Sequence, residues 1–190
     1  MLPATQDSAA LEAELARLNA EVARLTELAY KDALTGVANR RMFDERLNEE
    51  WSRGSRTESP LSLLLIDIDH FKKYNDTHGH QGGDDLLQGL GALWAAIEIR
   101  SFDLLARYGG EEFAVVLPDT SVHGALRVAE RIRQAAYAKG VTVSIGVATT
   151  VPSWKTEAAL LVEQADKALY WSKAAGRDRA TVYETELAAA

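Results

Sequence analysis

From Asp32 onward helical and extended signals take turns along the chain, and that alternation restricts the fold to helices layered on a sheet. Arg40 to Arg53 reads as a helix and Leu61 to Asp69 as a buried strand, its apolar run broken only by Ser62. A short polar helix near Phe71 to Thr77 precedes a longer one over Asp84 to Ile97, with Leu86, Leu87, Leu90, Leu93, Trp94 and Ile97 on one face. Leu104 to Tyr108 and Phe113 to Leu117 flank Gly109-Gly110-Glu111-Glu112, which predicts a β-hairpin with a four-residue loop. Val122 to Ala136 reads as a helix, Thr142 to Ala148 as a strand, and Thr156 to Ala175 as a helix ended by Gly176. The order α-β-α-α-β-β-α-β-α, a hairpin inside a βαβ-like frame, predicts an α/β fold. Its type is ferredoxin-like or palm: a central antiparallel-mixed sheet covered by helices.

Residues 1–30 stand apart from this domain of residues 31–190. Residues 8 to 30 are rich in Ala, Leu, Glu and Arg and contain neither Gly nor Pro. Leu11, Leu18 and Leu25 fall at heptad d positions and Leu15, Val22 and Ala29 at a positions, a pattern favouring a parallel two-stranded coiled coil. The expectation is a homodimer through this helix, with a tetramer as the next assembly; the alternative is an amphipathic helix packed on its own domain. The heptads run straight into Tyr30-Lys31-Asp32, so rotation of the coil would reach the domain; no receiver or sensory module is expected within residues 1–30, one having been removed or never having existed.

Charge narrows the partners. With 21 Lys and Arg against 28 Asp and Glu, the net charge is −7, which argues against nucleic acid or anionic membranes as partners. A phosphate-bearing ligand would therefore need local cations or metal ions. The absence of cysteine excludes thiolate metal sites, thiol catalysis and disulfides, and fits a reducing cytoplasm. The longest apolar run, Leu61 to Ile66, is too short to cross a bilayer, and no signal peptide precedes it, so no membrane insertion is expected.

The apolar strand ends in Asp67-Ile68-Asp69. Asp69, just ahead of the Phe71 helix, reads as a helix cap, whereas alternation puts Asp67 on the face opposite Ile66 and Ile68, deep enough to need a partner. Glu111 and Glu112 form a second acidic pair at the glycine-rich hairpin. If strand and hairpin are neighbours, three or four carboxylates converge, and their repulsion is relieved by a divalent cation. Carboxylates, Mg²⁺ and a phosphate substrate form the two-metal arrangement of nucleotidyl transfer. On the last helix Asp166, Tyr170, Lys173 and Arg177 form one stripe, beside an apolar stripe of Leu161, Ala165, Leu169 and Ser172 that would face the sheet.

Six blocks then match a family in order and spacing over about residues 31 to 183. They are Asp32-Ala-Leu-Thr-Gly-Val-Ala-Asn-Arg-Arg41, Asp67-Ile-Asp-His-Phe-Lys-Lys-Tyr-Asn-Asp76, Gly79-His-Gln-Gly-Gly-Asp84, Arg107-Tyr-Gly-Gly-Glu-Glu-Phe113, Val143-Ser-Ile-Gly-Val147, and Ala165-Asp-Lys-Ala-Leu-Tyr170 with Gly176-Arg177. The chain resembles the GGDEF-domain diguanylate cyclases, and within them the response-regulator-linked members that signal surface attachment. Such enzymes join two GTP into cyclic di-GMP and two pyrophosphates, each subunit of a dimer holding one GTP. The third motif position is Glu rather than Asp, which keeps the carboxylate.

The resemblance implies roles for individual residues. Asp67, the backbone carbonyl of Ile68 and Glu111 would hold Mg²⁺, two ions per GTP, with Mn²⁺ as the substitute. Glu111, with Glu112, would assist deprotonation of the ribose 3′-hydroxyl that attacks the α-phosphate of the other GTP. Asn75 and Asp84 would read guanine, although a helix N-cap also explains Asp84 after two glycines. His80 would line the substrate pocket, and Lys72, Lys173 and Arg177 would contact phosphates. Arg100 and Asp103 would form a product-inhibition site about 17 Å from the catalytic loop, the length of a five-residue strand. Arg131 would serve there from a second domain, with Arg53 or Arg56 as weaker candidates. The implied location is the bacterial cytoplasm. The alternative function is a non-catalytic receptor module for GTP or cyclic di-GMP.

Overall fold

The computed structural model describes residues 4–97, 100 and 102–184, with side chains from residue 11 onward; residues 1–3 and 185–190, the outer ends of the two expected segments, lie outside it. In chain order the elements are α1 (Ala4–Tyr30), α2 (Arg40–Thr57), β1 (Leu61–Ile68), α3 (Phe71–Ala95), β2 (Leu104–Gly109), β3 (Glu112–Pro118), α4 (Val122–Tyr137), β4 (Val143–Thr150), α5 (Ala158–Ala174) and β5 (Arg179–Val182).

A strand apolar on both faces has to be covered on both, and β1 is the middle strand of a five-stranded sheet ordered β2-β3-β1-β4-β5. β1 runs antiparallel to β3 and β4, and β5 lies parallel to β4, so the sheet is mixed as expected. Leu64, Ile66 and Ile68 join the core under α3 and α4, with Leu90, Trp94, Ala129 and Ile132. Leu61, Leu63 and Leu65 join the opposite core under α2 and α5, with Phe43, Trp51, Leu161 and Ala165. By this parity Asp67 belongs to the α5 side. No helix among the described residues is long and apolar enough to cross a membrane.

Three local expectations change. Phe71–Ala95 is one helical stretch kinked at Gly79, whose φ of 76° and ψ of 165° break the helix there rather than over a longer loop. The hairpin loop is two residues, not four: Gly109 pairs with Glu112 across a bulge after Arg107, leaving Gly110, at φ 49°, and Glu111 at the tip. α5 stops at Ala174, so Arg177 sits beyond the helix in a left-handed turn instead of extending the stripe of Asp166, Tyr170 and Lys173.

The apolar stripe of α1 is exposed: Leu11 at 72%, Leu18 at 50% and Leu25 at 52%. In this structure that stripe is not covered by the chain's own domain. The joint after α1 is stiff. Asn39 caps α2 by accepting from Met42 N at 3.0 Å, while its amide donates to Ala29 O at 2.9 Å and Lys31 O at 3.3 Å. Asp32 accepts from the Thr35 hydroxyl and backbone N–H and from Arg107, bonds that outweigh burial and hold its carboxyl below the usual range. Arg107 also donates to Gly110 O at 3.0 Å, so one side chain ties the end of the α1 joint to the hairpin tip.

Candidate active site

Two neighbouring strands bring the acids together. In the β1–β3 ladder Asp67 stands directly opposite Glu112, and Glu111 lies next to it at the tip. Like charges in facing positions repel and need a counter-charge. Here Lys173 supplies it: Nζ lies 2.7 Å from Asp67 Oδ2, with the Asp67 side chain 14% exposed. Lys173 arrives there because α5 lies hard against β4. A Cβ on Gly146 would stand 2.0 Å from Ala165 O and 2.3 Å from Leu169 N, so only glycine allows that approach, and Lys173 follows one turn after Leu169.

The acids still outnumber the cation. Burial pushes the Asp67 carboxyl up despite Lys173, with Glu111 and Asp69 adding to the rise. Glu112 is pushed up by burial and then by Asp67. Half-buried carboxylates with surplus negative charge and only oxygen donors suit a hard divalent cation, so Asp67 and Glu111 fit the expected ion. The convergence is looser than the expected three or four carboxylates: among the described residues no three His, Cys, Asp or Glu side chains are grouped closely enough to hold a metal as they stand. Asp69 does not cap a helix. It is buried and accepts from Thr142 Oγ1 and Ser144 Oγ, both at 2.7 Å, while His70 takes the cap position without a side-chain bond.

α3 carries a second group. Asn75 Oδ1 is buried without a partner among the described residues, and a Cβ on Gly83 would stand 1.8 Å from it, so the glycine leaves room for that amide. Asp84, the next residue, is exposed inside the helix, which excludes the N-cap reading. His80 is exposed just past the Gly79 kink; Lys72 is exposed one residue into α3, without an ion-pair partner among the described residues. Arg177 is exposed at φ 64° beyond α5. A cavity of about 490 Å³ between α2 and α5 is lined by Tyr108 and Asp166 but not by Asp67, Glu111 or Asn75, so it lies beside these groups rather than over them.

At the other end of β2, Arg100, Asp103 and Arg131 line a pocket of about 150 Å³ together with Arg127. Asp103 Oδ2 accepts from Arg100 N at 2.8 Å, while its buried Oδ1 has no partner among the described residues, and burial pushes the carboxyl up. Arg127 escapes sequence reading because its helical spacing to Arg131 looks like any solvated face; spatial convergence with β2 sets it apart. Arg53 is taken up by Glu50 at 2.6 Å and Asp119 at 2.8 Å, and neither it nor Arg56 lines this pocket.

A family model described as the diguanylate cyclase GGDEF domain matches residues 29–179. The response regulator PleD of Caulobacter vibrioides is 46% identical over 163 residues, covering 80% of this chain; the chain spans 36% of that relative's length. The crystal structure of the coiled coil and GGDEF domain of DgcB from Caulobacter crescentus, in complex with c-di-GMP, aligns with a TM-score of 0.82 at 31% identity over 94% of this chain and 98% of that one. The active GGEEF domain of a diguanylate cyclase from Vibrio cholerae aligns with a TM-score of 0.72 at 34% identity, over 78% and 99%.

Proposed function

The chain belongs to the GGDEF-domain family of diguanylate cyclases, and on that premise we propose that it condenses two GTP into cyclic di-GMP and two pyrophosphates as a homodimer in the bacterial cytoplasm. The observation that carries this reading is the facing pair Asp67 and Glu112 under the Glu111 tip, with Lys173 alongside. Asp67, the Ile68 carbonyl and Glu111 would hold Mg²⁺, two ions per GTP, which when bound supply Lewis acidity at the triphosphate. Lys173 lies on Asp67 in the structure and would be free to contact phosphate if a cation neutralised that carboxylate. With Lys72 and Arg177 it neutralises charge on the departing pyrophosphate.

The Glu111 carboxylate, assisted by Glu112, takes the proton of the ribose 3′-hydroxyl as its oxygen bonds to the partner nucleotide's α-phosphorus and the bond to pyrophosphate breaks. Asp84 accepts from guanine N1–H and the exocyclic amine while the Asn75 amide serves the remaining edge; His80 closes the pocket. Adenine would leave those groups unpaired. Purified protein with GTP and Mg²⁺ is accordingly expected to release pyrophosphate, and with ATP to release none; equal use of both nucleotides would contradict the assignment.

Residues 1–30 form the dimerising coil, its exposed stripe covered by a second copy, and residues 31–190 the cyclase domain. The Arg100–Asp103 pocket takes the product. Asp103 Oδ1, without a partner among the described residues, suits a guanine donor, and Arg100, Arg127 and Arg131 suit guanine faces and phosphates. Arg100→Ala should raise the cyclic di-GMP concentration for half-inhibition about tenfold, the loss of one charge-assisted contact; unchanged inhibition would remove this site from the account.

A further inference from the structure

The turn that carries Arg177 is held from a distance. Gly176, Arg177 and Asp178 have φ of 107°, 64° and 47°, three consecutive residues in the region that L side chains avoid. Two of them are not glycine, so surrounding contacts must keep them there. Within the turn the Arg177 N–H donates to Ser172 O at 3.0 Å and Arg179 Nε donates to Arg177 O at 3.0 Å; the contacts that reach it from α4 and from Asp69 converge on Asp178. Its Oδ1 accepts from Arg133 at 2.8 Å, its Oδ2 accepts from the Tyr137 hydroxyl, and its backbone N–H donates to the buried Asp69 Oδ2 at 3.1 Å. Arg133 is itself fixed, donating through both arms of its guanidinium to Glu130 at 2.9 Å and to the Tyr137 hydroxyl at 3.0 Å. The α4 side chains that do this lie beside the buried stripe of Ala129, Ile132 and Ala136, so the helix that packs the core also carries the clamp. Arg177, next in the chain to the clamped residue, is exposed and makes no ion pair among the described residues.

We propose that Arg133 and Tyr137 are positioning residues for nucleotide binding: acting through Asp178, they hold the left-handed turn that presents the Arg177 guanidinium to the triphosphate. The inference rests on the phosphate role proposed for Arg177. Neither α4 residue touches the nucleotide, so their effect should vanish when Arg177 is gone, which a staple that only stabilises the fold would not show.

The test measures GTP dissociation constants and KM against kcat on the full chain for Arg133→Ala, Arg133→Lys, Tyr137→Phe, Arg177→Ala and the Arg133→Ala/Arg177→Ala double variant, with thermal melts alongside. Arg133→Ala is expected to raise both constants about tenfold with a smaller change in kcat, Arg133→Lys to recover part of this, and the double variant to match Arg177→Ala. A lowered melting temperature with unchanged GTP constants, or a full additional loss in the double variant, would overturn the inference. Should Arg133→Ala not fold, Tyr137→Phe decides it alone, because it deletes one hydroxyl from a half-exposed ring; an unchanged constant there is equally fatal. If the unsubstituted protein binds no GTP, the proposed function fails and takes this inference with it, whereas normal binding with unaffected variants removes only the inference.

Discussion

Glu111→Gln is expected to lower kcat by about 10³-fold or more while leaving the fold intact. The substitution keeps the shape of the side chain and removes one charge from a crowded acidic cluster. Glu111 raises the Asp67 carboxyl and lies beside Glu112, itself raised by burial and by Asp67, so the neutral amide relieves repulsion rather than breaking a bond. No ion pair to Glu111 occurs among the described residues, and the turn around it depends on Gly110 at φ 49° and the Arg107 bond to Gly110 O, neither of which the change touches. Stability should therefore hold or rise slightly, and the loss should appear in turnover. Pyrophosphate release and a thermal melt on the same preparation check both halves. Turnover at the original rate would remove Glu111 from cation binding and proton transfer alike.

Gly83→Ala should separate guanine recognition from folding. The new methyl would stand 1.8 Å from Asn75 Oδ1, 2.9 Å from Asn75 Cγ and 3.2 Å from Phe71 Cζ. The closest of these atoms ends a rotatable side chain, so the amide swings aside at modest cost and the helix survives, alanine being the better helix former. What is lost is the placement of the Asn75 amide. Its buried oxygen has no partner among the described residues, and on the proposed function the contact given up would be one to the nucleotide. A rise in KM for GTP of about 10- to 100-fold, with kcat less affected, follows from losing one or two hydrogen bonds. Steady-state kinetics and far-UV circular dichroism would show it; an unaltered KM would mean that Asn75 does not meet the base.

The parity of β1 made Asp67 legible from the sequence as a carboxylate on the face opposite Ile66 and Ile68 that needs a partner; the structure adds that odd positions face α2 and α5 and that the partner is Lys173. The alternation of helices and strands likewise conveyed the mixed, helix-covered sheet. Other features depend on backbone conformations that residue types do not announce. Arg177 fits a helical stripe by spacing, but the chain leaves the helix at Ala174, and its new course is set by the Arg177 N–H bond to Ser172 O and by the contacts on Asp178, none of which the spacing announces. The two-residue hairpin tip follows from a bulge after Arg107, and four loop-forming residues in a row concealed it. β5, four residues beside β4, lacks an apolar run of its own and owes its place to pairing. Asp84 looked like a cap because two glycines precede it, yet the helix restarts immediately after Gly79. Pairings far apart in sequence, Lys173 with Asp67 and Arg107 with Asp32, carry no local signal at all.

The central claim is that one GTP on each of two copies becomes a single cyclic dinucleotide. Its most direct test is product analysis by mass spectrometry after incubating the purified chain with GTP and Mg²⁺ across a range of protein concentrations. The account predicts cyclic di-GMP with two pyrophosphates for each product molecule, at a rate per protein that rises as the chain dimerises. GTP bound and recovered unchanged at concentrations where the protein is dimeric would contradict it and identify a receptor instead.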